Sequence, residues 1–128
     1  MRRLAPLLLL TITASLSTAL RAESTAEMLS ACRPVAQAQI VGENIEMPPG
    51  AGPAMCWGFF IGLQKVINLI PAQGQQPFLS VCAPEKSNRA QLIAIFVRYA
   101  EQNPQRHHED VFWVAVDSLR AAFPCRTK

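Results

Sequence analysis

The sequence predicts an all-α protein: a small bundle of about four to five helices stapled by two disulfides, with irregular Pro/Gly-rich connectors. Three observations carry that expectation. Apolar residues recur at intervals of three and four in several stretches, the spacing that places them on one face of a helix. No run alternates apolar and polar residues for long enough to make a strand, and no internal repeat is present. Four cysteines, Cys32, Cys56, Cys82 and Cys125, are spread along the 128 residues without the Cys-x-x-Cys pair that commonly grips zinc.

The first residues read as a leader. Met1-Arg2-Arg3 is a basic start, Leu4 to Leu20 carries no charge, and Ser17-Thr18-Ala19 and Leu20-Arg21-Ala22 are small-residue cleavage sites. A membrane anchor fits less well, because the run holds Pro6 and several Ser and Thr and is barely long enough to span. Leu29-Ser30-Ala31-Cys32 has the letters of a lipoprotein cleavage box, but Arg21, Glu23 and Glu27 separate it from the apolar run. The expectation is a cleaved signal peptide over 1–22 and one helical domain over 23–128, with no membrane span in the mature chain. The leader holds Arg2, Arg3 and Arg21 and no acid, so the apparent net charge of +3 belongs to it. The remainder is balanced, with no basic excess for nucleic acid or an anionic membrane. An even cysteine count in an exported chain of this size favours two disulfides.

Ser24-Thr25-Ala26-Glu27 fits a capping box, so a first helix should start there, with Met28, Leu29, Cys32, Val35 and Ala36 as its apolar stripe. Pro34 should kink it or end its first part. The segment 42–53 contains Pro48, Pro49, Gly50, Gly52 and Pro53 and reads as a connector. The next helix should run from Ala54 to about Ile70, before Pro71. It is the most apolar inside the domain and so the expected central strut. Gly58 and Gly62 lie one turn apart on its face, and each costs about 1 kcal/mol of helix propensity. Close packing against another backbone would offset that cost. Gln64, Lys65 and Asn68 argue that this helix is buried in protein with one polar edge.

An irregular segment from Pro71 to Lys86 follows. Asn88 offers the next cap, and Leu92, Ile93, Phe96, Val97 and Ala100 mark one helical face until Asn103-Pro104 stops it. Glu109 and Asp110 sit where carboxylates favour the positive end of a helix dipole. Val111, Phe112, Ala115, Val116, Leu119, Ala122 and Phe123 then form a broad stripe ended by Pro124. Each of these last two helices should span ~21 Å over about 14 residues. A short turn between them folds them antiparallel, bringing Cys82, before the first, beside Cys125, after the second. Cys32 and Cys56 are left to each other.

No constellation of catalytic residues stands out. His107 and His108 are adjacent, point in different directions on any helix, and have no evident third ligand, so neither a metal nor a cofactor is called for. No Gly-x-Ser-x-Gly elbow is present, and cysteines held in disulfides are not nucleophiles. Trp57 and Trp113 could anchor a partner, although core packing is the commoner use. A stapled helical binding protein is what remains.

The motifs Cys56-x-Gly58-x-x-x-Gly62, Cys82-Ala83-Pro84, Gln91-Leu92, Tyr99 with Asn103-Pro104, and Leu119 with Ala122-Phe123-Pro124-Cys125 follow one another in order. Together they resemble the Rap/Tai family of immunity proteins against type VI secretion amidase effectors. A tyrosine common in the family is Phe59 here, which keeps the ring and loses the hydroxyl. The resemblance implies an all-helical fold, two disulfides, a periplasmic location and often a homodimer. It also implies a secreted cell-wall amidase as the protein partner, bound so that its catalytic cleft is occluded, with no catalysis by the immunity protein itself. Loops on a rigid scaffold commonly carry binding. The expected contacts are therefore Glu43 and Glu46 in the connector 42–53, and Asn103, Gln105, Arg106 and His107 in the turn 103–109. The rival reading is a periplasmic chaperone or envelope-assembly protein that uses exposed apolar surface.

Overall fold

The computed structural model describes residues 23–38, 40–41, 44–69 and 75–126. The expected leader, Glu43 and Pro71 lie outside them. Among the described residues, four α-helices make the fold: α1 Thr25–Ala36, α2 Ala51–Ile67, α3 Arg89–Gln102 and α4 Val111–Ala122. Between α1 and α2, β1 Ile40–Val41 and β2 Asn44–Ile45 form a two-residue antiparallel pair, with Ile40 opposite Ile45. The sequence reading admits no strand, and a pair this short leaves the all-helical class intact.

Caps place three of the four helix starts. Ser24 and Glu27 close the expected capping box: Ser24 N donates to Glu27 Oε2 at 2.9 Å and Glu27 N donates to Ser24 Oγ at 3.3 Å. Asn88 accepts from Gln91 N at 2.8 Å at the start of α3, and Asp110 accepts from Phe112 N at 2.8 Å at the start of α4. The start of α2 departs from expectation. It begins at Ala51 and takes Gly52 and Pro53 into its first turn, where the amide that proline lacks would have no helical acceptor anyway. Gly50, at φ 118°, makes the sharp entry. Its other end also comes early, at Ile67, where the Asn68 N–H closes onto Gln64 and Val66. Helix α1 runs through Pro34 and ends two residues later.

The central strut is α3. It packs on α1, α2 and α4, whereas α2 packs on α1 and more lightly on α3. The reason is that α2 is apolar on more than one face but buries a single stripe, Pro53, Cys56, Phe60, Leu63 and Ile67. Gly58 and Gly62 are exposed on the other side, with nothing among the described residues within 4 Å of where a Cβ would stand. The expected backbone approach at these glycines is not made among the described residues.

The core lies where Phe60 of α2 meets Phe96 of α3, ring centroids 5.7 Å apart, closed by Met28 and Val35 from α1 and Val114, Val116 and Leu119 from α4. Both expected disulfides are present. Cys32–Cys56 ties α1 to α2 inside the core, with Cα atoms 5.2 Å apart. Cys82–Cys125, with Cα atoms 5.0 Å apart, ties the entry to α3 to the exit of α4. Cys82 N also donates to Phe123 O at 3.0 Å. Among the described residues, no helix is long and apolar enough to cross a membrane, and no three His, Cys, Asp or Glu residues are grouped to hold a metal.

Candidate functional site

The turn between α3 and α4 gathers four of the six expected contact residues. Asn103 ends α3 and turns its amide inward, Nδ2 donating to Tyr99 O at 2.8 Å, while its Oδ1 accepts from Gln105 Nε2 at 3.2 Å. A single 3-10 turn, Pro104–Arg106, follows. Arg106 then directs all three guanidinium nitrogens into the chain. Nη2 lies 2.7 Å from Glu109 Oε2 and 2.9 Å from Asp117 Oδ2, Nε reaches both Glu109 oxygens, and Nη1 donates to Tyr99 OH at 3.0 Å. The Glu109 carboxyl is held below its ordinary range, chiefly by the hydrogen bond from Arg106, which outweighs the opposing desolvation.

His107 is also engaged. Its Nε2 lies 2.9 Å from Ala100 O, and because a carbonyl can only accept, Nε2 carries the proton. The backbone of the same turn is stitched to the start of α1. Ala26 N donates to His107 O at 3.0 Å, Thr25 N to Glu109 O at 2.9 Å, and Val111 N to Glu23 O at 3.2 Å. Asn103, Arg106 and His107 are therefore half-buried members of the scaffold, and Gln105 is the exposed member of the group. Glu46 is exposed on the other connector, before α2.

Two exposed aromatics lie outside this turn, and loop chemistry alone does not single them out. Trp113, on the outer side of α4, is 54% exposed, against the expectation that it packs in the core. Its spacing carried the signal: the stripe through Val111, Ala115 and Leu119 places position 113 on the far side of the helix. Trp57 is half-buried, with the Arg89 guanidinium 4.7 Å above its ring. Phe78, at 59%, opens a one-turn segment, Phe78–Ser80, that precedes Cys82.

That segment is strained. Leu79 (φ 66°, ψ 5°) and Ser80 (φ 52°) both adopt left-handed backbone without being glycine, at a cost of order 1–2 kcal/mol per residue. Arg120 holds the turn, its Nε donating to Leu79 O at 2.7 Å. Asp117 steadies Arg120 at 3.3 Å and receives Arg106 on its other oxygen. One chain of ions thus joins the 103–109 turn to the 78–80 turn across α4.

No curated protein and no solved structure matches this chain. The model of the Rap1a immunity proteins, which are inhibitors without catalysis and protect against a type VI secretion effector, matches residues 24–125. That span begins at the capping residue of α1 and ends at the last disulfide cysteine, so it takes in all four helices and both bridges. The chain belongs to the Rap1a immunity protein family.

Proposed function

We propose that this protein works in the periplasm, after removal of residues 1–22, where it binds a peptidoglycan-cleaving amidase effector and occludes its cleft. The family match over residues 24–125 carries the immunity half of this reading. Two disulfides support export, since such bridges persist in oxidising compartments. Inhibition needs only a rigid surface complementary to the enzyme, and the ion-locked turns around α4 offer one.

The test directs each type VI effector of the source organism to the periplasm of a host cell, with and without this protein. Protection against one effector that cleaves amide bonds in peptidoglycan is the expected result. Protection against an effector of other chemistry would remove the amidase and keep immunity. Protection against none would remove both.

A second copy is proposed to cover the outer side of α2. Met55, Gly58, Phe59, Gly62 and Val66 follow one another there at helical spacing, and Lys65 is the helix's one charge. A helix paired across this side could approach the glycines closely. Sedimentation at rising concentration should show a dimer, and a monomer at every concentration would exclude it.

A further inference from the structure

We infer that Phe78, held outward by the left-handed turn Phe78–Ser80, is the residue this protein plants in its effector, and that Arg120 is its positioning residue. The inference rests on the immunity reading above. The partner it fits is a folded enzyme whose cleft offers an apolar socket for one aromatic ring.

The backbone makes the first argument. Neither Leu79 nor Ser80 is a residue that adopts left-handed backbone freely, yet they do so in succession. Such a conformation persists only where its surroundings over-determine it, and it clusters at functional contacts. Two of the restraints come from α4 and the residues after it, Arg120 Nε on Leu79 O and the Cys82–Cys125 bridge two residues on, and Ser80 N on Pro77 O at 2.9 Å closes the turn locally. Their effect is to divide two neighbouring apolar side chains. Leu79 turns in to pack on the core, and Phe78 is left the most exposed large apolar side chain among the described residues.

The surroundings make the second argument. Trp113 lies seven residues before Arg120 on the same side of α4, ~10.5 Å along the axis. Asp117 and Arg120 are thus set between two exposed aromatics, the mixture of ring and arginine that dominates binding energy at protein interfaces. Arg106 and Arg120 are balanced by Glu109 and Asp117, so the patch presents apolar contact with little net field. A ring on a fixed backbone has few torsions to lose on burial, which favours affinity.

The probe is the effector against which the protein protects in the periplasmic assay. Its affinity for protein purified from the periplasm is measured by calorimetry, with thermal melting alongside. Phe78→Ala should weaken binding about 30-fold or more without moving the melting midpoint. Arg120→Gln should weaken it about tenfold with Phe78 in place. Adding Ser80→Gly should restore part of that loss, because glycine takes left-handed backbone unaided. An Arg120 that served stability alone would show no such rescue. Equal affinity of Phe78→Ala and the wild type would overturn the inference and leave immunity standing. So would a loss confined to Glu46→Ala, which would move the contact to the connector before α2. A wild type that protects against no effector removes the immunity reading and this inference with it.

Discussion

Arg106 illustrates how a residue expected to meet a partner is also a member of the scaffold. Its guanidinium is held firmly in the charged state by Glu109, Asp117 and Tyr99 against the cost of desolvation. The pH consequence runs through Glu109. Its folded-state pKa lies below the ordinary carboxylate range, so the stability it contributes is complete above that range and is lost as pH falls through the lowered value. Melting of the wild type and Glu109→Gln, compared from neutral to strongly acidic pH, should differ at neutrality and converge in acid. A pH-independent difference would contradict the ion pair. The sequence showed Arg106 beside Glu109, but not that Asp117, eleven residues on and two turns into the next helix, would share its Nη2 with Glu109. That pairing depends on how the turn docks against α4, which a residue list does not contain.

Among the elements, the starts of α1, α3 and α4 were legible: Ser24 and Asn88 cap where their short acceptors place them, and Asp110, read as a carboxylate at the positive end of the dipole, caps α4 as well. The buried faces of α1 and α3 followed directly from spacing. What was not legible was the start of α2, where Gly50-Ala51-Gly52-Pro53 reads as a breaker although proline is tolerated in a first turn. Nor was its place, because apolar content alone does not say which sides meet the core. Gly58 and Gly62 mark the side that does not. Gly62→Glu should leave the monomer folded, since its Cβ meets open space, while abolishing the proposed dimer in sedimentation. A dimer that persists unchanged would place the interface elsewhere.

For the molecule as a whole, the antiparallel pairing of α3 and α4 and the connectivity of the disulfides could be derived from loop length and helix length. The two bridges differ in surroundings. Cys32 and Cys56 are fully buried, whereas Cys82 is exposed and Cys125 half-buried. Mild reductant should therefore open Cys82–Cys125 first, and alkylation should yield a species with two labelled thiols before one with four. Simultaneous opening of both bridges would contradict this order. The Cys82–Cys125 loop spans 43 residues. Replacing both cysteines with Ser should cost about 2–4 kcal/mol and lower the melting midpoint by on the order of 10 °C or more.

The stitching of residues 23–26 to the turn at 107–111 also governs where a handle can be attached. The described chain enters at one end of α4 and Cys125 sits at the other, so the two attachment points are separated by the ~18 Å of that twelve-residue helix. A fluorophore or surface tether placed ahead of Glu23 crowds the 103–109 turn and leaves Phe78 clear. The same tether placed behind Cys125 stands beside the disulfide that leads into the strained turn. Immobilised through its first described residues, the protein would offer the Phe78 side to a partner in solution; immobilised through its last, it would shield it.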